Sequence, residues 1–251
     1  MSTRIIAMIN QKGGVGKTTS VVNVGAGLAK LNHKILVVDL DPQAHLTYSF
    51  GIRADDLEWT IYELLKGEAQ LAQVLIEKND LKIILSSIGL SAAEIELSTE
   101  VGREAFLKNI VARLSEYDFI LLDCPPNLGL LTLNALTAAK EVFVPLQAEF
   151  LSTKGLSKLR DMVEKVKQRV NPALEITGII ATIYDQRLRL HNEVFENLRQ
   201  HFEKQLFKTF IRRNVALAEA ASFGQSIFEY APQSHGAEDY LALCQEIIHM
   251  G

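Results

Sequence analysis

The chain has 251 residues, 48% of them hydrophobic, and 26 Lys and Arg against 30 Asp and Glu give it a formal net charge of −4. That length supports one sizeable core, in one large domain or two small ones, and the charge excludes a global attraction to nucleic acid, leaving only a local patch for such a role. The two cysteines, Cys124 and Cys244, lie far apart without metal-ligand spacing, which fits free thiols in a reducing cytoplasm and excludes a disulfide framework or a structural zinc or iron–sulfur centre.

The first apolar run, Arg4 to Ile9, reads as a strand and is too short for a secretory signal or a membrane span, so a cytoplasmic protein is expected. It passes through Asn10 into Gln11-Lys12-Gly13-Gly14-Val15-Gly16-Lys17-Thr18-Thr19, and Ser20 to Leu31 then has the spacing of an amphipathic helix. Further strand-length apolar runs follow at Lys34 to Val38, Leu81 to Leu85, Asp118 to Leu122, Glu141 to Leu146 and Ile176 to Ile183, with helically spaced stretches between them. The alternation predicts an α/β protein with a doubly wound, mostly parallel sheet and helices on both faces. No Pro, Gly or Ser-rich linker, low-complexity tract or solenoid-period repeat interrupts it, so residues 1–251 are expected to form a single domain.

A glycine-rich loop between a strand and a helix is the context in which backbone N–H groups converge on phosphate oxygens. Gly13, Gly14 and Gly16 let the chain curl, and with Val15 and Thr19 they form a phosphate cradle. Lys17 supplies a point charge for the β and γ phosphates, and the Thr18 hydroxyl suits Mg²⁺. At the carboxyl end of the second strand, Val37-Val38-Asp39-Leu40-Asp41-Pro42-Gln43 presents two carboxylates on one side. One suffices near the metal and the other is free to orient water; a turn cap before Pro42 is the alternative. Asp123, at the end of Tyr117 to Leu122, has the placement of a Walker B residue holding Mg²⁺ through water, and Pro125 and Pro126 stiffen the loop after it. Cys124 reads as a packing residue, since no histidine neighbours it. The absence of an N-K-x-D segment favours ATP over a guanine nucleotide.

Where the common phosphate-loop pattern has its first glycine, this chain has Gln11, followed by an additional lysine, Lys12. The resulting K-G-G-V-G-K-T-T resembles the signature of the deviant Walker A ATPases, the superfamily of ParA, Soj, MinD and the nitrogenase iron protein. The resemblance implies a P-loop fold, an ATP-dependent sandwich homodimer in which Lys12 reaches the partner's nucleotide, water activation by Asp41, and support of the metal and its loop by Asp39. Lys12, Lys17 and Asp41 are then the catalytic set. The Phe210-Ile211-Arg212-Arg213-Asn214-Val215 stretch is similar to the Soj segment that borders the adenine, although Arg212 stands in the proline position. Asn214 carries over as a nucleotide contact, and Arg212 through its backbone.

Further Soj-like stretches at Ala93 to Leu97, Leu130 to Leu136 and His235 to Glu238 extend the resemblance over nearly the whole chain. It is closest to the short ParA type: nine residues precede Asn10, so neither a helix-turn-helix domain nor operator-specific autorepression is expected. The cysteines do not fit a bridging cluster. The final helix, Glu238 to Met250, has an apolar stripe of Leu241, Cys244, Ile247 and Ile248 but no Lys or Arg, so no stable membrane association is expected. From Tyr184 to Arg213 seven basic residues face four acidic ones, a local net charge of +3, which suits nonspecific double-stranded DNA or an ordinary solvated helix face. The resemblance places Arg187 among DNA contacts, removes a second one at Ala216, and leaves Arg189, Arg212 and Arg213 to carry the rest. The implied function is a weak ATP hydrolase, stimulated by a ParB-like protein, that sits on the nucleoid and segregates a chromosome or plasmid. A positioning ATPase for a protein cargo, such as a chemotaxis cluster or microcompartment, would share every motif, and a MinD-like membrane regulator is a third possibility.

Overall fold

In a computed structural model of the chain, which describes residues 3–149 and 152–250, the apolar runs hydrogen-bond into one seven-stranded sheet. Its strands are β1 (Arg4–Met8), β2 (Ile35–Asp39), β3 (Leu75–Lys78), β4 (Leu81–Ile84), β5 (Phe119–Asp123), β6 (Glu141–Gln147) and β7 (Glu175–Thr182). They are ordered β3-β4-β2-β5-β1-β6-β7, and all neighbours run parallel except β3 and β4. All five residues of β2 and of β5 are buried, as expected of parallel strands covered on both faces. Alternate side chains feed two cores: Leu36, Val38, Ile120 and Leu122 enter one, and Ile35, Val37, Phe119 and Leu121 enter the other.

The second core is closed by α1 (Lys17–Lys30), α2 (His45–Ser49), α10 (Val215–Ser222), α11 (Ile227–Tyr230) and α12 (His235–His249). The first is closed by α3 (Ile61–Lys66), α4 (Leu71–Val74), α5 (Leu90–Glu96), α6 (Phe106–Val111), α7 (Leu130–Ala138), α8 (Ser152–Arg169) and α9 (Arg189–Phe202). This is the doubly wound α/β architecture expected from the sequence. Among the described residues no helix is long and apolar enough to cross a membrane.

The differences from the expected elements have local causes. Helix α1 starts at Lys17, because the phosphate loop turns directly into it after Gly16 in the left-handed conformation. Helix α12 starts at His235, where Ser234 accepts a hydrogen bond from the Ala237 N–H. Strand β3 has no counterpart among the expected apolar runs. It forms an antiparallel hairpin with β4 through Asn79 and Asp80, whose φ angles of 54° and 61° are those of a two-residue turn that Asn and Asp tolerate.

The strand order has one consequence for chemistry. Strand β5 lies between β2 and β1, in a register that pairs Asp123 with Met8 on one side and with Asp39 on the other. The segments leaving β1, β2 and β5 therefore emerge side by side, at the carboxyl ends where open parallel sheets bind ligands.

Candidate active site

The loop after β1 is clamped at both ends. The Asn10 side-chain amide donates to Pro145 O at 2.7 Å and its oxygen accepts from Lys12 N at 3.0 Å, which fixes the loop entry to β6. The Thr182 hydroxyl donates to Val15 O at 2.8 Å, which fixes the loop centre to β7. Between these anchors Gly14 and Gly16 have φ of 73° and 87°, the left-handed region that glycine enters without steric cost. Helix α1 then starts with no acidic residue in its first turn, so its N-terminal N–H groups and dipole favour an anion. Lys17 is 8% exposed, and its ammonium donates to Lys12 O at 3.4 Å.

Facing the loop are three carboxylates with different surroundings. Asp123 accepts from the Thr18 hydroxyl through Oδ2 at 2.7 Å, whereas its Oδ1 is buried without a hydrogen-bond partner. Asp39 is fully buried and has both oxygens engaged: Oδ1 accepts from Asp41 N, and Oδ2 from the Thr47 N–H and hydroxyl. Its position thus secures the loop from Asp41 to Thr47. Asp41 lines the cleft and accepts from Gln43 N at 2.9 Å. Burial pushes Asp39 up to about 7 against those hydrogen bonds, with the Asp41 charge adding to the rise. Burial, then the Asp39 charge, raises Asp123 well above the usual carboxylate range. A divalent cation fits this arrangement, because it would give Asp123 Oδ1 a partner and offset the repulsion between the paired carboxylates. Among the described residues no group of three or more His, Cys, Asp or Glu has metal-binding geometry, so protein ligation would rest on Thr18 and Asp123, as for Mg²⁺ held mainly by water and phosphate.

A cleft of about 620 Å³ runs from Gly13–Thr19 past Asp41 to the stretch from Ile211 to Ala218, which brings the expected phosphate and base segments together. Arg212 lines it, but its guanidinium is taken up by Asp239, with Nε to Oδ1 at 2.9 Å, and by Glu238 at 2.6 Å. The Asn214 side chain caps α10, its oxygen accepting from Ala216 N at 2.9 Å. The Lys12 ammonium lies on Glu149 Oε2 at 2.5 Å and Gln147 Oε1 at 3.2 Å, within its own chain. Of the remaining arginines, Arg213 is exposed at the cleft. Arg187 and Arg189 are exposed on the surface, paired at 2.7 Å with Asp185 and Glu193. Arg187 holds the Asp185 carboxyl well below its ordinary range, yet exposed pairs of this kind contribute little and exchange readily. Both cysteines are buried, and burial raises their thiols, in keeping with packing roles.

The sequence reading missed Asn10, Thr47 and Thr182. Only Asn10 carries a signal, its position at the junction of strand and loop.

The AAA domain family model matches residues 3–176 of the chain. The chain is 43% identical to the sporulation initiation inhibitor protein Soj of Bacillus subtilis, covering 99% of both chains. To the chromosome-partitioning ATPase Soj of Treponema pallidum it is 45% identical, over 98% of this chain and 97% of the relative. Its fold matches a cobyrinic acid a,c-diamide synthase from Mycobacterium smegmatis with bound ADP and magnesium, at TM-score 0.87 and 35% identity over 98% of this chain and 94% of that one.

Proposed function

The chain belongs to the ParA/Soj family of P-loop ATPases, and from that premise we propose that it is the nucleotide-gated switch of a DNA segregation system. In this reading residues 1–251 act as a single domain that binds ATP with Mg²⁺ and forms a sandwich homodimer. The dimer holds double-stranded DNA nonspecifically on the nucleoid, and a ParB-like partner stimulates hydrolysis and release of the dimer, so that a chromosome or plasmid cargo is segregated. The observation that carries the nucleotide reading is the gathering of Lys17, the Thr18–Asp123 pair with its orphaned oxygen, and Asp41 around one cleft. ADP and magnesium in the Mycobacterium structure and the ATPase name of the Treponema relative support it.

Each residue then has a distinct task. The N–H groups from Gly13 to Thr19 and the start of α1 hold the phosphates, and Lys17 balances their charge. Bound Mg²⁺, held by Thr18 and, through water, Asp123 beside Asp39, would neutralise charge developing on the β and γ phosphates. Asp41 orients a water in line with the γ phosphate. Lys12 leaves Glu149 and reaches the nucleotide of a second copy. Arg212 and Asn214 border the base, and Arg187, Arg189 and Arg213 meet DNA phosphates, with Arg212 contributing least charge because Asp239 and Glu238 already balance it.

Cosedimentation with a nonspecific duplex tests this assignment. The parent chain should bind DNA with ATP and not with ADP, and Lys17→Ala should lose both calorimetric ATP binding and DNA retention. Equal retention with ATP and ADP, or undiminished ATP affinity in Lys17→Ala, would contradict it.

A further inference from the structure

Ile183 has a φ of 53°, in the left-handed region that β-branched residues avoid. It stands where β7 ends, and its neighbours are pinned on either side. The Thr182 hydroxyl is bonded to Val15 O in the phosphate loop, Tyr184 N donates to Ile211 O at 3.0 Å, and Arg213 N donates to Tyr184 O at 3.1 Å. None of these bonds uses a group of Ile183, and glycine or asparagine would hold the same backbone with less strain. What isoleucine adds is an apolar side chain, half-buried and lining the cleft.

The rest of that end of the cleft has the same character. Ile211, Val215, Leu217 and Ala218 line it, and Val215 is 71% exposed. Among the polar side chains of the stretch, Arg212 is committed to Asp239 and Glu238 and the Asn214 oxygen to the α10 N-terminus, whereas Arg213 is exposed at the cleft. The phosphate loop and Lys17 stand at one end of the cleft and this apolar surface at the other, so the cleft suits a ligand that is anionic at one end and has an apolar face at the other. Strain kept at a cleft residue is characteristic of a binding contact.

We infer that Ile183 is a specificity-determining residue, whose side chain the strained turn holds as a contact face for the nucleotide's base. The base meets that side chain by shape and apolar contact. This inference rests on the ATP-site reading above.

Calorimetry with ATP and with inorganic tripolyphosphate, which lacks a base, tests it on the parent chain, Ile183→Asn, Ile183→Gly and Ile183→Leu. The Asn and Gly variants relieve the backbone and should melt no lower than the parent, yet bind ATP roughly tenfold more weakly, the scale of removing an apolar group from a binding pocket. Tripolyphosphate affinity should be unchanged, and Ile183→Leu should keep ATP affinity close to the parent value. Unaltered ATP affinity in the Asn and Gly variants would reduce Ile183 to a kink in the chain. Equal losses for ATP and tripolyphosphate would place its effect in the phosphate loop through Thr182, and either result overturns the inference. A parent chain that binds neither probe would overturn the ATP-site reading, and this inference with it.

Discussion

The hydroxyl of Thr47 joins two segments of the site: it donates to Asp39 Oδ2 at 2.9 Å and accepts from Ser86 N at 3.1 Å, fully buried. Thr47→Val preserves the volume but strands the Ser86 N–H and removes one donor from a buried carboxylate. It should cost about 2 kcal/mol, a fall of roughly 4–8 °C in melting temperature by scanning calorimetry; an unchanged melting point would show that water or another group replaces the hydroxyl. At this scale the sequence was legible where chemistry compels a pattern. A phosphate cradle needs glycines and a lysine at fixed spacing, so Gly13 to Thr18 announced themselves. Thr47 and Thr182 did not, because their partners are remote in sequence: Thr47 bonds Ser86 across 39 residues and Thr182 bonds Val15 across 167. Nor did the turn after Asp41, where Ala44 takes a φ of 54° at a position that glycine would have advertised.

At the scale of elements, continuous apolar runs revealed six of the seven strands to within a residue, and β3 escaped because this partly exposed edge strand lacks such a run. Its turn pair, Asn79-Asp80, was the available signal. The tract from Arg187 to Arg213 shows the converse, since its excess of charge was legible and its pairing was not. Arg187 and Arg189 each face a local carboxylate, and such pairs dissociate cheaply when phosphate competes. Reversing both to Glu should weaken ATP-dependent DNA binding at every sequence alike. The salt dependence should also flatten by about 0.9 in log–log slope for each DNA phosphate that is no longer neutralised, read from binding isotherms at several salt concentrations. Parent-like slope and affinity would identify the tract as an ordinary solvated surface.

Over the whole molecule, the insertion of β5 between β2 and β1 assembles the site, and it is a long-range choice that no local pattern displays. It sets Asp123 beside both the phosphate loop and Asp39, and the two cores then hold the three strands in register. The proposed switch acts at the same scale, because Lys12 rests on Glu149 of its own chain and would have to leave it to meet a second nucleotide. Lys12→Ala should accordingly bind ATP within a few-fold of the parent while remaining monomeric by light scattering, and a dimer of parent mass would exclude a role in trans. The proposed switch depends on hydrolysis, not binding, being the step that releases the dimer. The most direct measurement is made on Asp41→Ala with ATP and Mg²⁺, recording molecular mass and phosphate release on one sample. A persistent dimer with no phosphate released is expected, since Lys17, Thr18 and Asp123 still bind the nucleotide and no group replaces the carboxylate that orients water. Phosphate release at the parent rate, or a monomer that no longer binds ATP, would contradict the proposed switch.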